Sequence, residues 1–169
     1  MATVEHVSEP SIQPSIEPTV EQLRAALGVE RWVAEVYAGG PYADLEELLE
    51  AASDAASPLT PADVEEALVH HPRIGEKPAH GATGADHSRR EQASIDADDP
   101  HLAERVAAGN AAYEQRFGRI FLIRALGRSR AEILAELDRR LTLDDAEELV
   151  IVGDQLREIA LLRLTGMFR

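Results

Sequence analysis

From Thr19 onward, apolar residues return every three or four positions, in runs separated by helix-start and helix-stop signals, and no stretch alternates like a strand for longer than the ambiguous Phe121 to Ile123. A period near 3.6 buries one face of each helix against its neighbours and leaves no pattern from which a sheet could be built. The sequence therefore predicts an all-α fold, a single-domain helical bundle over residues 19–169. It follows a flexible tail over residues 1–18, where Pro10, Pro14 and Pro18 stand among serines and glutamates without periodicity. With 169 residues and 44% apolar side chains the chain supports one core, and at 4% aromatic content that core must be built from Ala, Leu, Val and Ile, which favours helices.

The boundaries are written locally. Thr19 with Gln22 reads as a capping box, and Gly28 stops the first short helix. Trp32, Val33 and Val36 share one face of a segment over 29–38 that ends at Gly39-Gly40-Pro41, and Asp44 opens a third with Leu45, Leu48, Leu49 and Ala52. Thr60-Pro61 starts a fourth, whose stripe of Val64, Leu68 and Val69 must end near His71, because Pro72 disfavours helical geometry in the residue before it. Residues 72–86 carry Gly75, Gly81, Gly84 and Pro78 without an apolar period and read as a functional loop. Helical patterns resume over Ser88 to Ile95, then after Pro100 with Leu102, Val106, Asn110, Tyr113 and Phe117, and again after the Ser129/Glu132 capping box. A last long helix shows Leu149, Val152, Leu156, Ile159 and Leu162 as its stripe.

Composition removes whole classes of chemistry. A net charge of −14 repels nucleic acid and anionic lipid, so neither a nucleic-acid nor a membrane partner is expected. There is no cysteine, hence no disulfide framework, thiol nucleophile or thiolate-bound metal. The single lysine, Lys77, lies among polar loop residues that would not desolvate it for Schiff-base work. No run reaches the roughly 18 to 20 apolar residues of a membrane span and no signal peptide is evident, so a cytoplasmic location is expected.

The densest chemical signal is His70-His71-Pro72-Arg73-Ile74-Gly75-Glu76, which places a titratable ring where a helix ends and a proline fixes the following backbone. Ser88 and Glu91, three apart, share a helical face. If that face meets His71, a His–Glu pair forms, the imidazole pKa rises toward neutrality, and the ring can give a proton near pH 7. The same residues have plainer uses: a histidine at a helix end caps or is solvated, and Ser88 with Glu91 also suits a capping box. His70, His71, His80 and His87 do not have the spacing of a paired helical metal motif, and no metal is expected. Arg163, within the apolar final helix, either snorkels to solvent or pairs with an acid or an anionic ligand. The stretch Phe121 to Ala125 reads as core, or as unpaired amides that could grip a polar ligand.

Taken in order, His71-Pro72-x-x-Gly75, Ser88-x-x-Glu91-Gln92, Asn110-x-x-Tyr113-x-x-x-Phe117-Gly118, Phe121, Arg140-Leu141, Glu158-Ile159 and Arg163-Leu164, with the early Trp32 and Pro41, resemble the 2-oxo-4-hydroxy-4-carboxy-5-ureidoimidazoline (OHCU) decarboxylase family. That family carries out the last step in converting urate to (S)-allantoin. The resemblance implies an all-helical enzyme without cofactor, usually a homodimer, acting on a small ureidoimidazoline. It implies His71 as catalytic acid and Glu91 as an essential partner. As substrate contacts it implies Pro72, the stretch Ser88, Arg89, Arg90 and Gln92 around Glu91, the stretch Phe121, Leu122, Ile123, Arg124 and Ala125, and Arg163. The chain departs from the family's usual pattern at Arg119-Ile120, where Phe-Pro is common, at Ala93-Ser94, and at Leu143-Asp144, where an asparagine is expected nearby. A competing reading is a non-catalytic helical module whose acidic surface binds a basic partner. A third, a metal-dependent hydrolase built on the histidine loop, predicts that chelators abolish activity.

Overall fold

The computed structural model describes residues 15–75 and 99–169. Among them are seven helices: α1 (Val20–Ala26), α2 (Glu30–Gly39), α3 (Leu45–Ala55), α4 (Pro61–Leu68), α5 (Pro100–Phe117), α6 (Arg130–Arg140) and α7 (Asp145–Phe168). There is no strand among the described residues, only an isolated antiparallel bridge between Ile16 and Tyr42. The all-α bundle expected from the periodicity is what forms. Most of the expected tail lies outside the described residues, and its last part is held: Ile16 and Tyr42 exchange backbone bonds of 2.8 and 2.9 Å, and Pro18 is buried.

The helix starts follow the local chemistry. Thr19 with Gln22, Thr60 with Asp63, Ser129 with Glu132 and Asp144 with Glu147 all close reciprocal capping boxes, each satisfying amides that the first helical turn would leave unpaired. At the end of α5, Gly118 takes the left-handed conformation (φ +68°) and its N–H returns to the Glu114 carbonyl. No atom lies within 4 Å of a Cβ built there, so backbone geometry alone sets the requirement. Gly118→Ala is therefore expected to destabilise by about 1 kcal/mol, read as a lower urea midpoint with an unchanged slope.

Packing gives two apolar clusters. The first joins α1 to α4 with α7 through Leu23, Trp32, Leu48, Val64, Leu156 and Leu164; the Trp32 Nε1 donates to the Ala52 carbonyl at 2.8 Å, so the buried indole leaves no polar atom unpaired. The second joins α5 and α6 through Val106, Tyr113, Ile133 and Leu137. Here Gly109 lets the helices approach, since a Cβ at that position would overlap the Leu137 side chain. Between the clusters runs the 121–125 stretch, neither helix nor strand. Leu122 points into the first cluster, whereas Phe121, Ile123 and Ala125 point into the second, so a short period-two pattern serves as the seam between two helical layers.

Two details differ from the expected stripes. Val69 is 77% exposed, because α4 ends at Leu68 and the following turn swings it outward. On α7 the buried residues are Val152, Gly153, Leu156, Ile159, Ala160, Arg163 and Leu164, while Leu162 is only half-buried. Helices α1, α3 and α4 all contact α7, so it is covered on more than one side and a single stripe does not describe it.

Candidate active site

The end of α4 fixes His71. The amides of His70 and His71 return to the carbonyls of Ala67 (3.4 Å) and Leu68 (3.1 Å), and Pro72 then forbids another turn. Downstream, Asn110 of α5 donates from Nδ2 to the Ile74 carbonyl at 3.0 Å, and Arg73 pairs with Glu114. The segment 70–75 is thus tied to α4 on one side and to α5 on the other. His70 lies over Gly28, its Cδ2 3.2 Å from where a Cβ would stand, which places the turn against the end of α1.

Arg163 reaches the same place from α7. Its Nη1 donates to the carbonyls of Ala25 (3.4 Å) and Ala26 (3.3 Å), in the last turn of α1, where carbonyls lack helical partners and carry partial negative charge. The guanidinium is buried, and it acts electrostatically on His71. Burial, then the Arg163 cation, then His70 push the His71 pKa from its ordinary 6.5 down to about 3. The ring is therefore neutral in the ligand-free protein at pH 7. Glu91, expected to act in the opposite sense, lies outside the described residues, as do Ser88, Arg89, Arg90 and Gln92.

This depression has a consequence for stability. Unfolded, the imidazole titrates near 6.5; between that value and about 3 the unfolded chain binds a proton that the folded one refuses, so stability falls as pH drops through this window. Between pH 7 and pH 5 the wild-type protein is expected to lose about 2 kcal/mol more than His71→Gln, measured from urea midpoints at the two pH values. Parallel losses in the two proteins would contradict the depressed pKa.

The 121–125 stretch is held by α7 and α6. The Arg124 amide donates to Gln155 Oε1 at 2.8 Å and its guanidinium pairs with Glu158 at 2.9 Å, so this arginine faces α7. The Phe121 side chain is buried against Tyr113, ring centroids 5.3 Å apart, and any ligand contact by Phe121 must come from its backbone. Arg163 follows Glu158 by five positions on α7, about 7.5 Å along the axis, so one helix carries both the anchors of this stretch and the buried guanidinium. Pro72 is half-buried beside His71. A separate cavity of about 350 Å³ lies beyond the 73–75 turn, among Arg73, Val106, Asn110, Glu114 and Arg130. No group of three His, Asp or Glu among the described residues could hold a metal ion.

A buried polar network lies among residues whose burial no local sequence motif announces. Arg140 and Glu148 are fully buried and paired, with Tyr113 donating to Glu148. Helical spacing carries the signal instead: Arg140 continues the Ile133 and Leu137 stripe, and Glu148 precedes Val152 and Leu156 at the same spacing, two opposite charges on apolar faces.

Comparison with known proteins settles the family. The sequence profile described as OHCU decarboxylase matches residues 14–165. The chain belongs to the OHCU decarboxylase family. It is thus an all-α carboxy-lyase. The chain is 31% identical over 138 residues to the 2-oxo-4-hydroxy-4-carboxy-5-ureidoimidazoline decarboxylase of Amia calva, covering 80% of this chain and 79% of that protein. It is 28% identical over 152 residues to the uric acid degradation bifunctional protein TTL of Arabidopsis thaliana, covering 88% of this chain but only 47% of that longer protein. A crystal structure of OHCU decarboxylase in the presence of (S)-allantoin superimposes with a TM-score of 0.73 at 26% identity, covering 88% of this chain and 97% of the other.

Proposed function

We propose that this OHCU decarboxylase family member converts OHCU to (S)-allantoin in urate breakdown without a cofactor, with His71 as general acid and Glu91 as its partner or as a substrate orienter. The observation that carries the reading is the juncture of a neutral imidazole and a buried guanidinium at the end of α1. The substrate's carboxylate sits on a carbon that also bears a hydroxyl and neighbours a C=N bond. When the C–C bond breaks, carbon dioxide leaves and the electron pair is delocalised onto the imine nitrogen, so no external electron sink is needed.

The local charges explain how such a site takes an anion in a protein of net charge −14. Arg163 is a local cation in low-dielectric surroundings, where its attraction is strongest. An anionic substrate beside it cancels the field that holds the His71 pKa down. The ring then takes up a proton together with the substrate, and it is charged when acid assistance is required. Backbone amides of the 121–125 stretch, with Pro72, Ser88, Arg89, Arg90 and Gln92, hold the ring of the substrate so that one face receives the proton. The molecule works as a homodimer in this reading, which the family resemblance supports. No helix among the described residues is long and apolar enough to cross a membrane.

The test is to generate OHCU in place from urate with urate oxidase and hydroxyisourate hydrolase and to follow circular dichroism. The protein is expected to accelerate formation of (S)-allantoin above the spontaneous rate, equally with and without chelator. No acceleration would favour the acidic interaction module, and loss with chelator would favour a metal-dependent reaction.

A further inference from the structure

We propose that Arg140, clamped by Glu148 and Tyr113, is a positioning residue that aims the backbone of the 121–125 stretch at the substrate; this rests on the function proposed above. Arg140 approaches Glu148 through Nε at 2.9 and 3.1 Å and through Nη2, while Nη1 donates to the Leu122 carbonyl at 2.8 Å. Its guanidinium carbon lies 4.7 Å from the centroid of the Phe121 ring. Tyr113 donates its hydroxyl to the other end of the network, at Glu148. Side chains from three helices thus meet in the interior, Tyr113 of α5, Arg140 of α6 and Glu148 of α7; Arg140 and Tyr113 touch residues 121 and 122, and Glu148 holds them both.

Stability alone does not account for such an arrangement. Taking two charges fully out of water costs desolvation that their attraction scarcely offsets, and apolar residues of similar volume commonly serve a core as well or better. What the network supplies is direction. Among the described residues the 121–125 stretch has no sheet partner to orient its peptide groups. Fixing the Leu122 carbonyl fixes the peptide plane to Ile123, and in a trans peptide the Ile123 N–H points opposite to that carbonyl. With the carbonyl turned onto Arg140, the Ile123 N–H is turned away from it, and it has no partner among the described residues. The neighbouring Arg124 N–H is taken by Gln155. Ile123 is therefore the donor that Arg140 presents to a ligand. Lysine could keep the charge at position 140, but it lacks the planar fork that holds carboxylate and carbonyl in fixed directions at once.

The experiment compares wild type with Arg140→Lys and with a charge-free replacement, Arg140→Met/Glu148→Leu/Tyr113→Phe. It measures kcat, KM, enantiomeric purity of allantoin at excess enzyme, urea midpoint, and amide exchange over 121–125. Both variants are expected to stay folded, the charge-free one with a midpoint at or above wild type. Both are expected to lose about 10- to 100-fold in kcat, with a smaller change in KM, lower (S) purity and faster exchange at Ile123. A folded variant with wild-type kcat and purity would overturn the proposal. So would a charge-free variant that fails to fold, because the network would then be a stability device. An inert wild-type protein would instead count against the proposed function, and the exchange at Ile123 would still decide whether Arg140 holds this backbone.

Discussion

His71→Ala is expected to lower kcat/KM for OHCU by about 10²- to 10⁴-fold, the range over which positioned acid–base groups act, while far-UV circular dichroism stays unchanged. The fold should tolerate the substitution because the local structure is held by other atoms: the backbone amides of 70 and 71 on α4, Asn110 on the Ile74 carbonyl, and the Arg73–Glu114 pair. Removing the ring also removes a group that is neutral in the free protein, so no buried charge is left without a partner. The neighbouring His70 is exposed and packs over Gly28, and His70→Ala should keep kcat/KM within a few-fold of wild type. Steady-state kinetics with both variants separates the two imidazoles. If the two behave alike, or if His71→Ala retains activity, His71 is not the acid.

Arg163→Met is expected to be nearly as damaging, lowering kcat/KM by about 30- to 3,000-fold, the effect of deleting one partner of a desolvated charge pair. Both KM and kcat should suffer, since the guanidinium attracts the substrate anion and also sets the protonation of His71. Removing a nearby cation takes away one of the charges that depress the imidazole pKa, so His71 in the variant should titrate above its wild-type value, which NMR of the ring reports directly. Arg163→Lys retains a cation but not the planar guanidinium whose Nη1 reaches the carbonyls of Ala25 and Ala26, and it should fall between wild type and Arg163→Met. Wild-type kinetics in Arg163→Met, with the protein folded, would remove the anion-binding role.

Much of the fold was written in short-range signals. Thr19, Thr60 and Ser129 cap helices with the partners their spacing announces, and Pro72 ends the turn that presents His71. Such signals are local because they satisfy amides within one helical turn. Contacts between distant segments were less legible. Arg163 is buried where the last helix crosses the end of α1, and nothing in its own neighbourhood says whether a guanidinium in an apolar helix will snorkel or turn inward. Arg124 shows the converse: its place in a suspected contact stretch suggested a ligand, while Glu158 on α7 holds its guanidinium. The Arg140–Glu148 pair stood on the apolar faces of two helices, yet only the packing of α6 against the 121–125 seam shows that Leu122 supplies the third member. His71, Glu91 and their neighbours were brought together by resemblance to the family; the described residues supply the imidazole, the guanidinium and the seam.

The measurement that bears most directly on this account is diffraction from crystals soaked with (S)-allantoin. The account predicts ligand density against His71 and Arg163 at the end of α1, with the Ile123 amide within hydrogen-bond reach. Density confined to the separate cavity between Arg73 and Arg130, with the His71 and Arg163 side chains untouched, would contradict it.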